Sequence, residues 1–351
     1  MDRLRIAVAL PHLGVYGGVR RFLELGRVWS ERGHEVALAT PPGARDATPW
    51  LPFPGRVTSL DSLPGERWDV LLSPDPLLFQ EVQLPGALRV FYAVLEWAPG
   101  ALHAWRSADL VLANSEGMAR HLRRRRVHAV HAPGGVNFAT FHPPSDDPRP
   151  RGPVEEPVRA LVYGRLSRRR KGTLAAALAV DRAARRTGVR VSLTLFDAPP
   201  AGATVPSEPL PLSVPHRWVL HPSQETLVAL YGEADLFVSA ERRAGWCNTA
   251  AEAMACGAAV VCTRSGTLDF ARHGDTALVS RFPWSWTLAR HAEALLRDPE
   301  RRGAIAARGR ARIAEFPWER TAAVIETAIV ERLGAARTGR GNREGATEER
   351  R

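Results

Sequence analysis

The chain predicts an α/β protein of two domains, each a doubly wound parallel sheet with helices on its faces. Two observations carry this. Short apolar runs of strand length alternate with helix-length stretches, which favours parallel strands joined by helical crossovers. The alternation is interrupted at residues 142–157, "HPPSDDPRPRGPVEEP", a stretch rich in proline and charge without apolar periodicity. Such a stretch reads as a linker, and 351 residues leave enough chain for a core on either side.

The first series opens with "LRIAVAL", whose apolar run ends at Pro11 without a small-residue cleavage site. It reads as a buried strand, not as a signal peptide. A glycine-bearing loop, "PHLGVYGG", leads into a helix, "VRRFLELGRVWSER", stopped by Gly33. "HEVALAT", "DVLLS", "LRVFYAV", "DLVLANS" and "VHAVHA" follow as strands. Ser115 suits the N-cap of a helix with a basic end, "EGMARHLRRRR". After the linker come "VRALVYG", an alanine-rich helix, "VRVSLTLF", "DLFVSA" and "AAVVCT", then the helical stretches "SWTLARHAEALLRDPE" and "ERTAAVIETAIVERL". The expected division is 1–142, linker 143–157, 158–315, a C-terminal helix over 316–333, and a tail over 334–351 expected to be disordered.

Composition narrows the function classes. No apolar run approaches the roughly 20 residues of a membrane helix. Cys247, Cys256 and Cys262 are odd in number, clustered and set among apolar residues. That argues against a disulfide framework or a zinc site and for the cytoplasm. The net charge of +11 comes from 48 basic and 37 acidic residues, and Lys171 is the only lysine. The charge is spread along the chain, and the aromatic residues read as not interleaved with the arginines, so nucleic acid is not the expected partner. The run Arg123–Arg126 leaves peripheral contact with an anionic inner membrane face open beside a plain solvated helix end.

Three stretches carry chemistry. In "LPHLGVYGGVRR", Gly14, Gly17 and Gly18 lie between the first strand and helix, where backbone amides and the helix dipole can meet an anion. It matches neither a Walker loop nor G-x-G-x-x-G, and a plain tight turn is the rival reading. Arg20 and Arg21 could reach a ligand or be solvated. In "VYGRLSRRRKG", Arg165 follows a strand end and Lys171 stands six residues on, before Gly172. Two cations so placed suit a diphosphate; a solvated basic face is the alternative. In "AGWCNTAAEAMACGAAVVCT", Asn248 suits an N-cap, the helix ends at Gly257, and the amides around Thr249 to Ala251 could bind phosphate. Glu252 sits one turn in, where a carboxylate can hold a ribose diol or simply be an exposed helical glutamate. The chain has no D-x-D, so no carboxylate pair for a nucleotide-bound metal is visible, and the histidines show no ligand spacing.

Together these segments resemble the retaining GT-B-fold nucleotide-sugar glycosyltransferases of the group 1 family (glycosyltransferase family 4), over nearly the whole chain to about residue 333. The resembling blocks are "GGVRRFLELGRVWSERGHEVALAT", "VLANSEGMARHL", "PGGVNFATFHP", "YGRLSRRRKG", "LYGEADLFVSA", "AAEAMACGAAVVCTRSGTLDFARHGDTALV" and "FPWERTA". The resemblance implies two Rossmann-like domains facing across a cleft, with the C-terminal helix crossing back to the first. It implies that Arg165 and Lys171 bind the donor diphosphate, that Glu252 holds the ribose, and that amides near Asn248, Thr249 and Ala250 meet phosphate. Gly17 and Gly18 would approach the donor from the first domain. Ser265, Gly266, Thr267 and Asp269 fall where the family has its G-G-x-x-E turn.

Two departures concern the sugar end. Where the family carries a second glutamate, eight residues before Glu252, this chain has Ala244, with Glu241 three residues away as a substitute. Where the family often has a first-domain histidine, this chain has "FYAVLEWAPG", with Glu96 and then His103 as the nearest polar residues. The implied activity is transfer of a hexosyl or deoxyhexosyl group from a nucleoside diphosphate to a hydroxyl acceptor, such as a cell-envelope or polysaccharide glycan, without metal or other cofactor. The alternative is a catalytically degenerate partner protein that binds a nucleotide sugar.

Overall fold

The computed structural model describes residues 3–44, 46–95, 100–143, 156–199 and 210–348, with side chains of 336–348 excepted. The chain forms two compact units: Met1–Gly134 with Trp318–Arg351, and Gly135–Pro317. The expected linker falls largely outside the described residues, as does Glu96.

The first unit holds β1 (Arg5–Ala9), α1 (Gly17–Glu31), β2 (Glu35–Thr40), β3 (Arg56–Ser59), β4 (Val70–Ser73), α2 (Pro76–Glu81), β5 (Leu88–Ala93), α3 (Ala101–Ser107), β6 (Leu110–Ala113), α4 (Glu116–Arg124) and β7 (Val130–His131). The strands are parallel, in the order β3-β2-β1-β4-β5-β6-β7. Strands β1, β4 and β6 are buried at nearly every position, which is why they read as continuous apolar runs. Ser115 caps α4 as the sequence predicts, its hydroxyl accepting from the Met118 amide at 3.1 Å.

The second unit holds β8 (Val158–Tyr163), α5 (Thr173–Thr187), β9 (Val191–Asp197), β10 (His216–Leu220), α6 (Gln224–Glu233), β11 (Leu236–Val238), α7 (Asn248–Ala255), β12 (Ala259–Thr263), β13 (Leu278–Ser280), α8 (Ser285–Arg297) and α9 (Pro299–Ile313). Its parallel order is β10-β9-β8-β11-β12-β13.

The last helix, α10 (Trp318–Glu348), belongs to the first unit, as the expected crossover requires. Trp318, Ala322, Ile325 and Ile329 enter the core with Phe22 and Trp29 of α1, a spacing of three to four residues that makes one buried face. One expectation is corrected here: the helix continues beyond residue 333 to Glu348. The segment read as a disordered tail has few apolar residues but many Ala, Arg and Glu, which propagate a helix once its start is docked.

Each sheet reverses its winding once, between β1 and β4 and between β8 and β11. Loops at the carboxyl ends of strands beside such a reversal form the natural ligand crevice of an open parallel sheet. The glycine-bearing loop follows β1; the Arg165–Lys171 loop follows β8; the Glu241–Cys247 loop follows β11.

Candidate functional site

The site in the second unit is built from three loops fastened together by hydrogen bonds to main-chain groups. After β8, residues Arg169–Lys171 form a single 3-10 turn that ends at Gly172 with φ +68°. A Cβ at Gly172 would overlap the carbonyl of Ala240, so both backbone conformation and close approach require glycine. That approach brings the turn against the loop after β11, and the Arg242 amide donates to the Arg170 carbonyl at 2.7 Å. Thr263, at the end of β12, donates its hydroxyl to the Glu241 carbonyl at 2.5 Å. The Ala244 amide donates to Ser265 Oγ at 2.7 Å, and the Cys247 amide to the Gly266 carbonyl at 2.9 Å.

This stitching places Lys171 and Glu241, 70 residues apart, in an ion pair. Glu241 is buried, and it also accepts from the Cys247 thiol at 3.4 Å. Burial, together with the Glu241 charge, pushes that thiol up to about 12. Arg165 is 3% exposed, and its Nε donates to Asp197 Oδ1 at 2.7 Å. Its Nη2 donates to the Ala198 carbonyl at 2.5 Å. Lys171 keeps 23% of its side chain exposed. Both cations lie within 6 Å of the Tyr163 ring centroid, Arg165 at 5.7 Å and Lys171 at 5.5 Å. The reading of these cations as a solvated basic face therefore fails for Arg165 and Lys171.

One expectation at α7 is corrected, and one rival reading fails. Asn248 is the first helical residue, not the N-cap; Cys247 holds the cap position and makes no side-chain cap bond. The reason is the Cys247–Gly266 bond, which fixes the chain's entry one residue earlier. Thr249 and Ala250 remain in the first turn, as expected. Glu252 is neither exposed nor alone: it is 5% exposed and accepts from the Tyr231 hydroxyl at 3.0 Å. Tyr231 is itself packed among Phe141, Phe196 and Phe237. The alanines of α7 are buried with it, so the helix is alanine-rich because it is packed on every side, and the glutamate is held by a fixed phenol.

In the turn after β12, Gly266 has φ +69° and lies where a Cβ would come within 2.8 Å of the Cys247 nitrogen. Thr267 donates its hydroxyl to the Thr263 carbonyl at 2.6 Å, and Asp269 offers its carbonyl to Arg312 at 2.7 Å. These residues shape the turn that supports the Cys247 loop. Ala244 is buried against Gly266.

In the first unit, Gly17 and Gly18 are exposed at the start of α1, whose cap residue Tyr16 makes no side-chain cap bond. Among the described residues nothing stands within 4 Å of a Cβ built at Gly18. The solvated reading of Arg20 and Arg21 is corrected. Both are buried, Arg20 over the Trp50 ring at 4.7 Å and Arg21 over the Tyr92 ring at 4.9 Å. His103 lies on α3, exposed.

Sequence reasoning missed Asp197, Tyr163, Tyr231 and Cys247. Asp197 ends the strand paired with the one that leads into Arg165, with Tyr163 opposite Phe196, a pairing that only the sheet order reveals. A shallow depression bounded by Arg159, Thr194, Arg217 and Glu233 shares no residue with this site.

Two doubly wound parallel-sheet units of this kind define the GT-B glycosyltransferase fold. Residues 145–312 match the family described as glycosyl transferases group 1, and the chain carries a domain of that family. Similar solved structures include sucrose-phosphate synthase from Thermosynechococcus elongatus, at 18% identity and TM-score 0.74, covering 95% of this chain and 100% of that one. A glycosyltransferase from Rickettsia africae matches at 14% identity and TM-score 0.72, over 95% of this chain and 99% of its own. The Anabaena protein HepE, solved in complex with UDP-glucose, matches at 14% identity and TM-score 0.69, over 95% and 100%. No curated protein sequence gives a significant match.

Proposed function

We propose that the protein is a retaining glycosyltransferase that moves a sugar from a nucleoside diphosphate to a hydroxyl acceptor, without a metal ion. The observation that carries this reading is the Lys171–Glu241 pair at the carboxyl ends of β8 and β11, beside the first turn of α7. A diphosphate leaving group gains charge as the glycosidic bond breaks. Lys171, Arg165 and the amides of Thr249 and Ala250 meet that charge with pre-placed donors, the role that a metal held by D-x-D carboxylates would otherwise take. The leaving phosphate oxygen accepts the acceptor's proton on the face from which it departs, so the configuration at the sugar carbon is retained and no protein nucleophile is needed.

Glu252, held by Tyr231, is the ribose ligand in this reading. Glu241 takes the place of the glutamate missing at Ala244, and accepts from hydroxyls of the donor sugar. The acceptor meets the first unit at the 14–18 loop. The protein acts in the cytoplasm, on a cell-envelope or polysaccharide glycan. Incubating the protein with nucleoside diphosphate sugars and a panel of glycan acceptors tests the proposal. Acceptor-dependent release of the nucleoside diphosphate, with an α-linked product from an α-linked donor, is the expected result. Tight nucleotide-sugar binding without turnover for any acceptor would favour the degenerate partner instead.

A further inference from the structure

The aromatic residues and arginines do interleave at one place, contrary to the sequence reading: "RFPWSWTLAR", residues 281–290, where β13 passes into α8. Phe282, Trp284 and Trp286 are 38%, 48% and 44% exposed, far more than such side chains usually show. They stack in sequence. Phe282 and Trp284 lie 4.5 Å apart at 9°, and Trp284 and Trp286 lie 5.5 Å apart at 27°. Arg281 lies over the Phe282 ring at 5.4 Å and Arg290 over the Trp286 ring at 5.7 Å. Both arginines are exposed, and no acidic residue occurs between 276 and 292.

We propose that this ladder docks the second unit on an anionic lipid bilayer. The ring edges would sit at headgroup level, with Arg281 and Arg290 on lipid phosphates. Two features select this partner. Basic residues without acidic neighbours complement an anionic leaflet, and tryptophan, apolar with one polar N–H, suits the membrane interface. Sugars and nucleobases, in contrast, bind aromatic platforms through ring faces. Here each ring already has a neighbouring ring stacked on it, and Arg281 and Arg290 lie over the Phe282 and Trp286 rings. Among the described residues no helix is long and apolar enough to cross a membrane, so contact of this kind would be peripheral. The inference does not depend on the donor chemistry proposed above.

Co-sedimentation with vesicles tests it. One set is made of phosphatidylglycerol and phosphatidylcholine in equal parts, another of phosphatidylcholine alone, and a single-stranded oligonucleotide serves as the competing polyanion. The full chain should partition onto the anionic vesicles and not onto the neutral ones. Phe282→Ser, Trp284→Ser and Trp286→Ser combined should weaken that partition about tenfold. Arg281→Glu with Arg290→Glu should weaken it at least as much, since each basic residue near an anionic leaflet is worth roughly fivefold. Circular dichroism spectra and thermal unfolding of both variants should match those of the parent chain, which shows that they fold. Should the aromatic variant fail to fold, the arginine pair decides alone. Unchanged vesicle binding in a folded variant, absence of binding by the parent chain, or ladder-dependent binding of the oligonucleotide instead would each overturn the proposal.

Discussion

At the scale of single residues, the site is a set of charges that already hold one another. Lys171 is paired with Glu241 and Arg165 with Asp197, so in the proposed reading an incoming diphosphate would share these cations with carboxylates. Lys171→Ala should therefore weaken nucleoside diphosphate binding by about 1.5–3 kcal/mol, the worth of a charge-assisted contact. Glu241→Gln should do the reverse for the bare nucleotide, because it releases the ammonium from its partner. It should weaken the additional affinity conferred by the sugar. Titrating both variants with nucleotide and with nucleotide sugar separates the two effects. Equal losses for both ligands in Glu241→Gln would show that Glu241 does not read the sugar. Cys247 provides a second check. Its thiol is buried and held near 12 by burial and by Glu241, so at pH 8 it should resist iodoacetamide in the folded protein and react on unfolding. Rapid alkylation of native Cys247, read by mass spectrometry, would contradict the packing described for this loop.

At the scale of elements, legibility in the sequence followed burial. Strands β1, β2, β4, β5, β6 and β12 have apolar runs because both faces are covered, and β8 and β9 keep enough buried positions to read as strands. Edge strands β3 and β10 are largely exposed or half-buried and so lack a continuous apolar signal, and β13 spans three residues. Helix α9 buries only Ile305, Gly309 and Ile313 among its described positions, a stripe too thin to stand out among arginines. The cations at Arg165 and Lys171 were legible because they follow a strand end. Their carboxylate partners were not, since pairing 165 with 197 and 171 with 241 depends on strand order, which a single sequence does not display. His34, in the "RGHEV" block, ties β1 and α10 within the first unit. Its Nδ1 accepts from the Leu4 amide at 3.1 Å, and its Nε2 lies 3.6 Å from Glu326, which also receives Arg32. Burial, reinforced by Arg32 and opposed by Glu326, lowers the His34 pKa. The unfolded chain then binds a proton that the folded chain refuses, so stability falls as pH drops through the unfolded value of about 6.5. Urea unfolding at pH 7.5 and pH 5.5 should show this loss in the parent chain and a smaller one in His34→Gln. An identical loss in both would remove His34 from the account. Gly172→Ala, which forces a side chain against Ala240 at positive φ, should cost more than about 2 kcal/mol of stability and separate the two loops that pair Lys171 with Glu241.

At the scale of the whole molecule, two units of the same architecture carry different equipment. The first presents the start of α1 at Gly17 and Gly18 after β1, with no neighbour among the described residues within 4 Å of a Cβ at Gly18. Gly18→Val should thus leave the fold intact by circular dichroism. In the proposed reading it reduces transfer at least tenfold by keeping the backbone away from the donor; full activity in a folded variant would assign the loop a purely structural part. The second unit holds the Lys171–Glu241 and Arg165–Asp197 pairs, the buried Glu252 and the family match. The central claim is that this unit recognises a nucleoside diphosphate through Lys171 at one end and Glu252 at the other. Isothermal titration of UDP, GDP and ADP into the parent chain, Lys171→Ala and Glu252→Ala tests it most directly. The account predicts one preferred nucleotide, bound at least tenfold more weakly by each variant. Affinities in both folded variants equal to that of the parent chain would contradict it.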